Sequence, residues 1–133
     1  MSIPEVSAWC RRWLGSPVER VLFEAGFVSR VVGVRLGDGR EVVTTIRGYT
    51  PRLLGAARVQ RQLWQAGYPC PEPLTGPTHR GGWWISAEAL VGGGSVLTED
   101  TQRPELYAAV LAQLIRLAPP VDALPRLIPP PCA

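Results

Sequence analysis

The sequence predicts an α+β domain: a five-stranded antiparallel sheet, one helix inserted after the third strand, and a further helix at each end. Three observations carry this expectation. Short β-type segments recur at 18–25, 30–36, 41–47, 73–78 and 83–90, set apart by Gly-rich turn signals. Helical spacing of apolar residues occurs instead at 4–14, 51–66 and about 103–118. The composition, 46% hydrophobic and 19% charged over 133 residues, is that of one domain with one core.

Each element has a local reason. In 4–14, Pro4 suits a first helical turn, and Val6, Trp9, Cys10 and Trp13 share a face until Gly15-Ser16-Pro17 ends the helix. VERVLFEA (18–25) and RVVGVRL (30–36) flank the turn Gly26-Phe27-Val28-Ser29. Gly37-Asp38-Gly39-Arg40 carries a D-G hairpin signal before the β-branched run EVVTTIR (41–47). Alternation puts Val43, Thr45 and Arg47 on one face of this third strand and Val42, Thr44 and Ile46 on the other; either set would serve as core. Thr50 and Pro51 read as N-cap and first residue of the next helix, which ends at the C′ glycine Gly67. Its stripe is Leu53, Ala56, Ala57, Val59, Leu63 and Trp64. Two strands follow around a turn at 79–82, with the adjacent Trp83 and Trp84 on opposite faces. Gly92-Gly93-Gly94 reads as a connector to the last helix. Residues 1–118 thus form one domain, and 119–133, with six prolines in fifteen residues, a tail that is extended or without fixed structure.

Absences narrow the function. The chain has no Lys, so all 14 basic residues are Arg, and it has no Asn; both point to GC-rich codons. There is no lysine to grip a phosphate or form a Schiff base. With one histidine, His79, and Cys10, Cys70 and Cys132 widely spaced, no metal site and no cofactor are expected. Reduced thiols and a cytoplasmic location are expected, since Met1-Ser2-Ile3-Pro4-Glu5 is no signal peptide and no stretch is apolar enough to span a bilayer. The net charge of +3, on scattered arginines, predicts neither nucleic-acid nor membrane binding.

Three strings carry a resemblance: Val42-Val43-Thr44-Thr45-Ile46-Arg47, then Leu63-Trp64-Gln65-Ala66-Gly67-Tyr68-Pro69-Cys70-Pro71, then Ser86-Ala87-Glu88-Ala89-Leu90-Val91-Gly92. In this order the chain resembles the N-terminal lobe of the aminoglycoside-phosphotransferase-like kinases over roughly residues 18–118, with 107–117 similar to the first helix beyond the hinge. The resemblance implies a phosphate-gripping lysine at Thr45, a helix glutamate near Arg58 and a hinge at Glu88–Gly92. The departures imply loss of that chemistry. Thr45 has no charge, and Arg58 has the wrong sign to pair with a cation. Arg47, on the Thr45 face, reads as a solvated strand-end residue before a phosphate contact. The family's catalytic lobe has a His-x-Asp loop and a metal-binding Asn and Asp. Here His79 is followed by Arg80-Gly81, and Asp38, Asp100 and Asp122 do not read as a Mg²⁺ site, so a complete kinase is not expected.

Other motifs fall short. Ser95 does not complete G-x-S-x-G, and Gly26-Phe27-Val28-Ser29 lacks G-x-G-x-x-G. Cys70, between prolines, reads as structural, and His79 as an exposed turn residue. Glu24 and Glu41 are lesser acid–base candidates; Glu88, on an apolar strand, is the better one, its carboxyl pKa raised if buried. The first expectation is therefore a non-catalytic binding module in a biosynthetic or regulatory pathway. It acts on a protein or peptide or on itself as a homodimer, through the 51–66 helix and the hinge at 88–92, including Glu88, Ala89 and Val91, with the last helix and the Gly92–Gly94 linker at the contact and the proline tail assisting. The alternative is a small natural-product enzyme with a small apolar ligand in a cleft lined by Tyr49, Trp83 or Trp84 and the acid Glu88. Half of a split phosphotransferase, completed in trans, is a third reading.

Overall fold

The computed structural model describes residues 1–93 and 104–120. In chain order come α1 (Ile3–Leu14), β1 (Val18–Ala25), β2 (Arg30–Leu36), β3 (Glu41–Arg47), α2 (Leu53–Gln65), β4 (Thr78–Arg80), β5 (Trp83–Ala89) and α3 (Pro104–Leu117). The strands make one antiparallel sheet in the order β1-β2-β3-β5-β4, so the α+β architecture is as expected. The tail beyond 120, Gly94, Ser95, Asp100, Asp122 and Cys132 lie outside the described residues.

α1 decides which face of the sheet becomes the core. Its Val6, Trp9 and Cys10 lie at helical spacing and must be covered. They pack on Val32, Val34 and Leu36 of β2, Val42 and Ile46 of β3, and Ile85 and Ala87 of β5. β3 therefore alternates cleanly, with Val42, Thr44 and Ile46 buried and Val43, Thr45 and Arg47 half-buried on the opposite face. The buried Thr44 hydroxyl donates to the Val32 carbonyl at 3.1 Å, so it leaves no unpaired donor in the core. At the start of α1, the Glu5 carboxylate accepts from the Ser2 backbone N–H at 2.6 Å and from its hydroxyl at 2.9 Å. Those bonds occupy an N-terminal donor and hold the Glu5 carboxyl below its ordinary range. At the other end Gly15, with φ 79°, reverses the chain.

The connections correct several expectations. α2 begins at Leu53, not Pro51: Thr50 is no N-cap, and its carbonyl closes a turn by accepting from the Leu53 N–H at 3.0 Å. The other end is as expected. Gly67 takes φ 79°, and the Gly67 and Tyr68 N–H groups bond back to the Trp64 and Leu63 carbonyls, a Schellman closure. β4 does not span 73–78. Pro73 and Pro77 have no N–H to give a ladder, and Pro73 makes a single bridge to Glu88, so regular pairing waits until Thr78. His79 accordingly belongs to the strand, where it is exposed; Gly81 and Gly82, both at positive φ, make the turn. α3 rests against α2, and none of its residues is buried. Among the described residues no helix is long and apolar enough to cross a membrane.

Candidate functional site

The face of the sheet opposite α1 is only partly covered, and the polar side chains gather there. Antiparallel pairing sets Val43 beside Glu88, Thr45 beside Ser86 and Arg47 beside Trp84. α2 approaches this face from above: Gln60 Nε2 donates to Glu88 Oε2 at 2.7 Å. Between helix and sheet lies a cleft of about 90 Å³ lined by Arg47, Leu53, Ala57, Gln60, Ser86 and Glu88.

Arg47 is the cation of this cleft. It is half-buried, and its Nε is enclosed without a hydrogen-bond partner among the described residues. Three arginines of the β1–β3 meander differ from it. Arg30, Arg35 and Arg40 reach Glu24, Glu41 and Asp38, each at 2.6 Å, in solvent-exposed pairs of small energetic weight. Those pairs also engage Glu24 and Glu41, the two lesser acid–base candidates.

Glu88 faces the cleft, half-buried and bonded to Gln60 rather than enclosed in apolar surroundings. Arg58 is exposed and does not line the cleft; the inward polar position on α2 belongs to Gln60. The helix stripe itself carries that signal, since Gln60 lies in phase with Leu53, Ala57 and Leu63. Thr45 is half-buried in the middle of the face, with no charge to offer a ligand. Ala89 points to the α1 side with Ile85 and Ala87, and Val91 lies past the end of β5, 66% exposed.

The aromatic residues divide between the two faces. Trp84 sits on the open face between Tyr49 and His79, with ring centroids 5.5 Å away on either side. Trp83 lies across the sheet in a groove of about 240 Å³ with Met1, Phe27, Val28 and Ile46. Tyr49 and Trp84 therefore meet, whereas Trp83 is separated from them and from Glu88. The cleft at Glu88 is also well below the roughly 300–1,000 Å³ of small-molecule sites.

Burial suppresses thiol chemistry. The Cys10 thiol is pushed up to about 11 by desolvation in the core. Cys70 is raised as well, by burial first and by the Glu88 carboxylate second. Among the described residues, no group of three His, Cys, Asp or Glu side chains lies together in a way that would hold a metal ion.

A second surface has no covering partner among the described residues. α3 exposes Leu106, Tyr107, Val110, Leu111 and Ile115, between 41% and 69% each, and the neighbouring α2 exposes Leu54 and Trp64. Such a run of large apolar side chains on adjacent helices exceeds the scattered single residues normal on a surface. Comparisons with protein-family models, with curated proteins and with solved structures return no match.

Proposed function

We propose that the chain is a kinase-small-lobe-like binding module that transfers no phosphoryl group and docks a protein or peptide through α2 and α3. The observation that carries this reading is α3: fourteen residues with none buried, offering five large apolar side chains to solvent. A helix this apolar gains stability only by covering that face, and within the described chain only α2 adjoins it. The open sheet face supports the non-catalytic half of the reading. It carries Thr45 where the resembled kinases have lysine, Gln60 inward on α2, and a Glu88 already engaged by Gln60. A biosynthetic or regulatory setting fits such a module.

Photo-crosslinking tests the docking surface. A benzophenone amino acid placed at Tyr107 of the full chain is expected to yield a discrete protein adduct in the source cells. The same group at Glu19, exposed on β1, is expected to yield none. Equal labelling from both positions, or none from Tyr107, would overturn the reading.

A further inference from the structure

We infer that the cleft between α2 and the open sheet face binds the C-terminal carboxylate of a peptide, with Arg47 as its cation; this deepens the docking reading above and rests on it. Arg47 is a cation held in place without a structural bond. Its Nε is buried with no hydrogen-bond partner, and its guanidinium joins no ion pair, among the described residues. A buried polar group left unpaired is rare and costly, and more so when it is charged. Enclosure of Nε fixes the planar group at the cleft wall, and an anion in the cleft offsets its charge. A carboxylate suits it, because a guanidinium presents parallel N–H donors that match two carboxylate oxygens.

The rest of the cleft narrows the anion. Its volume of about 90 Å³ takes an end group and not a whole ligand, so the remainder of the molecule lies outside. The acid Glu88 lines the same cleft. Register puts Arg47 opposite Trp84 and Glu88 four residues further along β5, about 13 Å of strand away, so the two charges stand at opposite ends. Glu88 opposes a multiply charged anion such as phosphate. It favours a single carboxylate followed within a few atoms by an N–H: Gln60 engages Oε2, and Oε1 is left to accept from that group. The end of a peptide has this sequence of groups, a carboxylate and then an amide N–H. Thr75 Oγ1 lines the cleft and accepts from the Ala87 N–H at 2.9 Å, so its own proton is available to a carboxylate oxygen. Outside, Leu54 follows the cleft-lining Leu53 and is 50% exposed, and Tyr49, stacked on Trp84 beside Arg47, is 58% exposed. These two offer apolar contact to the body of the peptide, on the helix already assigned to docking.

Titration of the full chain, followed in ¹H–¹⁵N spectra that resolve arginine Nε–H signals, tests this. The probes are N-acetyl-Leu-Leu-Ala with a free carboxylate, the same peptide as its C-terminal amide, N-acetylalanine and inorganic phosphate. The free-carboxylate peptide is expected to shift the Arg47 Nε–H signal and to saturate below about 10 mM. The amide is expected to bind at least about tenfold more weakly, having lost the charge-assisted bonds. N-acetylalanine, which lacks the residues that reach Leu54 and Tyr49, is expected to be weakened to a similar degree, and phosphate is expected not to saturate. Arg47→Ala is expected to abolish peptide binding with the fold retained; should it fail to fold, Arg47→Gln and the acid–amide comparison on the wild type decide. Absence of saturable peptide binding, equal binding of acid and amide, binding that survives loss of Arg47, saturable phosphate binding, or N-acetylalanine as tight as the peptide would each overturn the carboxylate site. The Tyr107 crosslink separates this from the reading beneath it. Its adduct is expected to fall in Arg47→Ala; an undiminished adduct overturns the carboxylate site and leaves docking through α2 and α3 standing, and no adduct in the wild type removes both.

Discussion

Trp9→Ala is expected to lower unfolding stability by about 3–5 kcal/mol, measured as a shift of the urea midpoint at constant slope. Trp9 has no exposed surface and is among the largest fully buried side chains. Its removal leaves a cavity bounded by α1 and three strands that rigid sheet backbone cannot close. It also removes a long-range tie: the indole N–H donates to Thr78 Oγ1 at 2.7 Å, and that hydroxyl donates to the Ile85 carbonyl at 3.2 Å. α1 is thereby fastened to the hairpin at the far edge of the sheet. Trp9→Phe keeps much of the volume and loses the tie, so it is expected to cost about 1–2 kcal/mol. With total stabilities of about 5–15 kcal/mol for domains of this kind, the alanine variant stands near the threshold of folding. Equal losses for Phe and Ala would show that the tie, and not the volume, carries the effect.

Raising the pH from 8 to 11 is expected to cost about 2–3 kcal/mol of stability through Cys10. The thiol titrates at about 11 when folded against an ordinary value of 9.0. The neutral form is thus favoured in the native state, so the contribution is complete below 9. It is lost as the unfolded chain ionises and the pH climbs towards 11. Cys10→Ala removes this limb, and its stability at pH 10.5 relative to pH 8 is expected to exceed that of the wild type, whatever its constant packing loss. Parallel pH profiles for the two proteins would contradict a buried thiol at this position.

How far these features could be read in advance differs by element. The bounds of β1, β2 and β3 follow from β-branched runs closed by Gly-containing turns, signals that are local and strong. The inward face of β3 was not legible, because Val42, Thr44 and Ile46 are no more apolar a set than many strands present on both sides. α1, distant in sequence, decides it through Val6, Trp9 and Cys10. β4 was misplaced because the prolines around it permit extended backbone while denying a ladder, and extension alone resembles a strand. At the site, alternation put Trp83 and Trp84 on opposite faces, and Arg47 and Glu88 on one cleft follow from register. On α2 the resemblance points to Arg58, near which the family's helix glutamate falls, whereas helical phase puts Gln60 inward, where it bonds Glu88.

The most direct test of the central claim is a calorimetric titration of the full chain with Mg²⁺ and ATP. A binding module without a phosphate-gripping cation at Thr45, and with a cleft of about 90 Å³, is expected to give no saturable heat up to millimolar nucleotide. Saturable micromolar binding that disappears in Arg47→Ala would contradict it, and would assign the open sheet face to nucleotide chemistry instead.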